Sequence, residues 1–263
     1  MNFGPALRRH RETNRLSQMA LALTARVSTR HLSYLETGRA QPSREMVLQL
    51  ADALQLPLRE RNTLLLTAGF APHFAQTPLD AAPMSEVRSL LELLLRRNEP
   101  FGAVVLDRQW NVVMVNSAYA AMLALLLQRA VPAYTVLPEG QRPNLLQAFF
   151  EPQGLRPFIT NWSEVARELV PRLQRERLNA EPDVAALLDS VLNRRDLPAR
   201  EAPQVPRMIV PLELNFAGTA LRFFTTISSI GTPHDVTLEE LRIECLHPAD
   251  EATAQAVHAL SGH

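Results

Sequence analysis

The stretch LSQMALALTARVSTRHLSYLETG, residues 16–38, decides the reading of the chain. It predicts two short helices joined by a tight turn. Ser17 stands where a first helix starts, with a hydroxyl able to accept a backbone N–H. Leu16 and Leu21 flank that start at the spacing of a hydrophobic staple. Ser28 repeats the arrangement, with Val27 and Leu32 on either side. Leu32 and Leu35 are three apart and face inward, which leaves Thr29, Arg30, Ser33 and Tyr34 outward. Gly38 ends the second helix, as glycine does just past a helix C-terminus. Two helices so arranged form a helix-turn-helix, whose second helix can lie in the DNA major groove.

In order, Leu16-Ser17-Gln18, Leu21-Ala22, Val27-Ser28, Leu32-Ser33, Leu35-Glu36 and the closing Gly38 resemble the signature of XRE/Cro-family DNA-binding domains. Two positions depart from it. Arg26 stands where the family usually has Gly in the turn, and a left-handed arginine costs about 1 kcal/mol. Ala20 stands where a capping box would have Glu. The resemblance implies an all-α domain of five helices. It also implies an ion pair between Arg11, on the first helix, and Glu36, which makes Glu36 structural. An acid near phosphates is unfavourable without such a partner.

The outward face of the second helix supplies the candidate DNA contacts. Thr29 and Arg30 lie at its N-terminal end, the part that enters the groove deepest. Arg30 has the geometry for a bidentate bond to guanine, and Ser33 lies one turn on, in reach of a base edge. Gln18, Ser28, Tyr34 and Arg39 are placed to hold phosphates. Formal net charge is +0, which looks wrong for a DNA binder. It hides an asymmetry: residues 1–70 carry ten Arg against five acidic side chains, and the remainder carries 17 Arg against 22. A basic first part beside an acidic second part fits a DNA-binding domain joined to a domain of another kind.

The first 70 residues read as the five helices, from Gly4–Asn14 to a last helix with Pro57 in its first turn. Residues 71–83, APHFAQTPLDAAP, read as a proline-punctuated linker. Ser85 then caps an apolar helix rich in leucine, which needs a partner surface. Residues 102–106 and 110–115 read as a hairpin. Asn116-Ser117 starts a helix, and further helices follow over 144–150, 161–179 and 183–193. Pro171 is expected to kink the chain or start a turn. Three strands close the pattern, over 207–215, 221–230 and 238–247, before a tail over 248–263. Two strands, a run of helices and three strands is the order of an α+β PAS-like domain, a five-stranded antiparallel sheet with helices across one face. VVLDRQWNVVMVNSAYAAM, RPNLLQAFFEP and NWSEVARELVPRL resemble the MmyB-like ligand-binding domain found behind XRE domains, over roughly residues 84–247.

No serine lies in a nucleophile motif, no Gly-rich loop cradles phosphate, and the His residues lack metal-ligand spacing, so no catalytic or metal site and no cofactor is expected. Glu239 and Glu240 read as a solvated strand end. The single Cys245 rules out an intrachain disulfide and reads as a buried strand residue. The N-terminus has no apolar core and no run is long enough to span a bilayer, so the cytoplasm is the expected compartment and no membrane partner is expected.

In the second domain Trp110, Phe149, Phe150, Phe158, Trp162, Phe223 and Phe224 line either a filled core or a cavity. The resemblance implies a cavity for a small apolar ligand, a fatty acid being one candidate. Arg142 or Arg156 either meets a ligand carboxylate or stands solvated at the surface, and Ala121 lies on a neighbouring helix facing the space. The expectation is a homodimeric transcriptional regulator of double-stranded DNA, responsive to that ligand. The alternatives are a ligand-independent regulator whose second domain only dimerises, and a protein-interaction module.

Overall fold

Side-chain caps start most of the helices. The computed structural model describes residues 2–128, 130–178, 180–199, 209–216 and 218–261, which divide into two units. The first comprises residues 1–77 together with 231–239. It holds α1 (Phe3–Thr13), α2 (Gln18–Thr24), α3 (Thr29–Glu36), α4 (Arg44–Ala53) and α5 (Leu58–Thr67). Ser17, Ser28 and Ser43 accept the backbone N–H three residues on at 3.0, 3.1 and 3.2 Å. Leu7, Leu21, Leu32, Leu35, Val47 and Leu50 are fully buried between these helices. Arg26 is left-handed, with φ 51°. Its N–H reaches Leu23 O, and Val27 N–H reaches Ala22 O at 2.9 Å, a Schellman closure that outweighs the strain of a side chain there.

Pro57 precedes α5 instead of entering its first turn, and caps it with no side chain. The cap comes from far along the chain: Glu239 Oε2 accepts the Leu58 N–H at 2.6 Å. Asp235 accepts from the Thr77 N–H at 3.1 Å and from its hydroxyl at 2.7 Å, and Val236 N–H reaches Ala75 O at 2.8 Å. Glu239 is therefore a cap and not a solvated strand end.

The second unit comprises residues 78–230 and 240–263. Its elements are α6 (Ser85–Arg97), β1 (Ala103–Leu106), β2 (Val112–Val115), α7 (Ser117–Leu127), α8 (Leu145–Phe150), α9 (Trp162–Leu178), α10 (Pro182–Leu192), β3 (Leu212–Phe216) and β4 (Thr219–Ser228). After α11 (Val236–Glu240) come β5 (Arg242–Pro248) and α12 (Glu251–Ser261). The five strands form one antiparallel sheet in the order β2-β1-β5-β4-β3. The expected all-α unit followed by an α+β unit with a five-stranded antiparallel sheet is what the chain forms.

Several local expectations change. The last strand starts at Arg242 and not at 238, because Asp235 accepts the Thr237 N–H at 2.8 Å and turns the chain into α11. The second strand starts at Val112; Trp110 lies in the turn with φ 64°, where Asp107 accepts the N–H groups of Gln109 and Asn111 at 2.8 and 3.0 Å. Ser85 is the first residue of α6, fed by a 3₁₀ turn over 82–84, and does not cap it. Pro171 stays inside α9. The third strand starts at Leu212; the expected start at Arg207 lies outside the described residues, as does Asn179. Residues 251–261 of the tail are helical, and Thr253 Oγ1 accepts the Arg222 N–H at 2.9 Å. Cys245 is in β5 but only half-buried, on the face away from Leu246.

Candidate nucleic-acid interface and ligand cavity

The first site is the outer face of α3. Burying Leu32 and Leu35 turns Ser28, Thr29 and Arg30 to solvent, with Ser33 and Tyr34 half-exposed and Arg39 exposed beyond the helix. The Ser28 hydroxyl oxygen is engaged as the cap of α3. Arg30 Nε donates to the Tyr34 hydroxyl at 3.1 Å. The Arg30 and Arg39 guanidinium carbons lie 5.4 and 6.0 Å from the centre of the Tyr34 ring. The ring thus holds two arginines at one end of the exposed face by cation–π attraction.

Under this face lies a polar network. Arg11 Nε and Nη2 donate to the two Glu36 oxygens at 2.6 and 3.0 Å, and Gln18 Nε2 donates to Oε2 at 2.8 Å. The Glu36 side chain is 2% exposed and that of Arg11 10%. Arg11 has its pKa raised, first by the hydrogen bond to Glu36. Gln18 is therefore tied to Glu36 through its amide nitrogen, a partnership that the sequence reading missed; Glu36 having two carboxylate oxygens is the signal that it can hold two donors.

The second site is in the sheet-bearing unit. Alternation on β4 and β5 puts Phe223, Thr225 and Ile227 on one face with Glu244 and Leu246. This face and helices α7, α8 and α9 line a half-open cavity of about 270 Å³. Trp110, Met122, Leu126, Phe149, Leu169 and Phe223 form much of its apolar wall. Polar groups are few. Trp110 Nε1 is buried and has no hydrogen-bond partner among the described residues. Arg172 and Arg242 place their guanidinium carbons 5.5 and 5.2 Å from the centre of the Trp110 ring. Arg242 is bonded to Glu176 at 2.6 Å. Glu244 projects from the central strand into the cavity, and burial holds its carboxyl above the usual range against the opposing pull of Arg172 and Arg242.

The candidate aromatics separate. Trp110, Phe149 and Phe223 line the cavity. Phe150, Phe158, Trp162 and Phe224 do not: Phe150 is fully buried in the core, and Phe158 packs half-buried against it. Trp162 stacks on Phe149 and donates its Nε1–H to Phe149 O at 3.0 Å, behind the wall. Phe224 points to the other face of the sheet and stacks on His247, because neighbouring strand residues alternate. Arg142 is tied to Leu137 O at 2.9 Å and paired with Asp107; Arg156 is paired with Asp196 and lies 3.8 Å from the Trp162 ring centre. Neither lines the cavity, whereas Arg172 does. Ala121 is exposed, and Met122 takes the inward place on α7.

Among the described residues no group of His, Cys, Asp and Glu could hold a metal ion, and no helix is long and apolar enough to cross a membrane. No curated protein matches the chain. Two family models do: residues 2–64 match a helix-turn-helix domain, and residues 87–260 match the MmyB-like transcription regulator ligand binding domain. The latter match spans well over half of the sequence, and the chain belongs to this family of DNA-binding transcription regulators, with an N-terminal helix-turn-helix domain and a C-terminal MmyB-like ligand-binding domain.

Proposed function

We propose that this regulator, acting in the cytoplasm as an XRE-type homodimer, reads its operator through α3 and that a small apolar ligand in the cavity modulates the reading. Thr29, Arg30 and Ser33 face the bases. Gln18, Ser28, Tyr34 and Arg39 are assigned to the phosphates, Gln18 through the second hydrogen of the amide nitrogen that bonds Glu36, and Ser28 through its backbone N–H at the helix N-terminus because its hydroxyl oxygen is taken by the cap. The observation that carries the ligand reading is the cavity itself: about 270 Å³, walled by aromatic and aliphatic side chains, with the Trp110 Nε1–H left without a hydrogen-bond partner among the described residues. Small-molecule sites have this make-up, at volumes from about 300 Å³ upward. The size suits a short acyl chain, fatty acids being the candidate class. Control of DNA binding requires that the ligand bind two states of the protein with different affinities.

The test is native mass spectrometry of the purified protein and its affinity for a selected duplex before and after delipidation. A bound small molecule whose removal changes DNA affinity is expected. Leu169→Trp is expected to fill the cavity, abolish ligand uptake and leave the fold intact. If the space is closed in solution, the same change instead costs about 1–3 kcal/mol through overpacking. A protein that is empty as purified and takes up no fatty acid supports the reading in which the second domain only dimerises.

A further inference from the structure

Glu244 is out of place. It sits on β5, the central strand, and its neighbours on the inner face are Val104 of β1, Ile227 of β4 and Leu246 two residues on. Its side chain is half-buried and its carboxyl borders the cavity, and a carboxyl group placed among such apolar neighbours is normally hydrogen-bonded. Among the described residues Glu244 has no hydrogen bond, and Arg172 across the cavity has no carboxylate within ion-pair distance. With the Trp110 Nε1–H, three polar groups of one cavity are thus left to be satisfied by something else. Arg172 and the indole only donate; Glu244 accepts, or donates when protonated.

The charged and titratable groups around Glu244 are few. Arg172 and Glu168 come from α9, with Glu168 exposed at the rim. Arg242 comes from its own strand and is engaged with Glu176. Tyr119 of α7 has its hydroxyl pKa raised, by burial first and by Glu244 next, so it is a neutral neighbour at ordinary pH. Cys245 points to the other face of the sheet, its thiol pushed up by burial and by Glu244. Arg172 is therefore the one cavity-lining cation among these that no carboxylate already holds.

We propose that Glu244, Arg172 and the Trp110 Nε1–H form a head-group subsite that accepts a ligand group able to donate and accept hydrogen bonds at once, with a single negative charge shared between that group and Glu244. This inference rests on the reading of the cavity as an apolar-ligand site. The charge balance follows from the apolar lining of the cavity and the few charges that face it. One cation, Arg172, balances one anion; two carboxylates side by side there cannot both stay ionised. A primary amide or a hydroxyl satisfies all three groups as it is, donating to Glu244 and accepting from Arg172 and the indole. A carboxylic acid fits only if it and Glu244 hold one proton between them, and the pair then titrates as a unit.

Two eight-carbon probes, octanamide and octanoate, test this on the full-length delipidated protein by calorimetry. Octanoate in solution is ionised at every pH well above the ordinary carboxyl pKa of about 4.3. Its binding therefore takes up a proton wherever free Glu244 is also ionised, and its affinity falls towards tenfold per pH unit as the pH rises past the point at which free Glu244, held above the usual carboxyl range, ionises. Octanamide affinity is expected to stay level over the same range. Glu244→Gln, close to isosteric, should flatten the octanoate profile and tighten octanoate at the alkaline end. Arg172→Gln should weaken both probes.

A level octanoate profile in the unaltered protein, or a profile that Glu244→Gln leaves sloping, overturns the subsite while the apolar cavity stands, provided octanamide binds. If neither probe binds at any pH to a protein whose melting shows it folded, both the subsite and the ligand reading fall.

Discussion

At the scale of single residues, Glu36 explains most about the DNA-binding unit. Its two oxygens hold Arg11 from α1 and Gln18 from the start of α2, so one buried carboxylate ties three helices. Removing either Arg11 or Glu36 strands its partner's charge and is expected to cost about 3–5 kcal/mol, whereas exchanging both for matched apolar residues is far milder. Thermal melts of the single and double variants check this, and additive losses in the double variant argue against it. Arg30 and Arg39 share the Tyr34 ring but are expected to separate in function. Arg30→Ala should relax sequence choice by about 1–3 kcal/mol. Arg39→Ala should weaken binding to every duplex and lower the salt slope by about 0.9. Titrations on selected and random duplexes at several salt concentrations distinguish them; equal losses on both duplexes for Arg30→Ala remove its assignment to a base.

At the scale of elements, two helices carry the argument. α1 crosses α3 so closely that a Cβ on Gly4 would meet the carbonyl oxygens of Glu36 and Leu35 at 2.5 and 2.7 Å, which is why glycine stands in a helix there. α6 turns Leu91 and Leu95 into its unit and leaves Leu90, Leu93 and Leu94 exposed by 55, 46 and 45%. A run of leucines on one open face of a helix is an association surface more often than a solvent surface. This face supports the proposed homodimer, which also supplies the second half-site that a single recognition helix needs for useful specificity. Leu90→Asp with Leu94→Asp is expected to convert the protein to a monomer in light scattering, with ligand uptake unchanged and DNA affinity reduced; a dimer that survives both changes locates the interface elsewhere.

At the scale of the molecule, the DNA-binding unit is not one continuous stretch. Residues 231–239, which the chain runs through between β4 and β5, belong to the same unit as residues 1–77. Glu239 supplies the α5 cap that Pro57 cannot, and Asp235 fixes Thr77. Glu239→Ala is therefore expected to cost about 1 kcal/mol, the usual worth of a cap. The readout is hydrogen exchange at the start of α5 in the full chain: the Leu58 amide should lose protection while that of the α3 amides is kept. Unchanged protection at Leu58 counts against the cap.

What the sequence determined by itself is what depends on neighbours in the chain. Ser17, Ser28 and Ser43 cap the residues three further on; Leu32 and Leu35 share a helix face; strand alternation and turn residues set the hairpins. Those contacts are local, so the helix-turn-helix and the strands of the sheet were legible, whereas the pairing of β1 with β5 that joins the strands into one sheet spans the chain from Ala103 to Cys245. The tertiary structure decided what depends on residues far apart. Glu239 caps a helix 181 residues away. Phe224 and Phe223 are adjacent and alike, yet only register on the sheet sends Phe223 to the cavity and Phe224 to His247. Arg142 and Arg156 are spent on Asp107 and Asp196 while Arg172 is left facing the cavity, because which carboxylate an arginine meets is set by packing and not by spacing. A side chain's chemistry is written in its residue type; its partner is chosen by the fold.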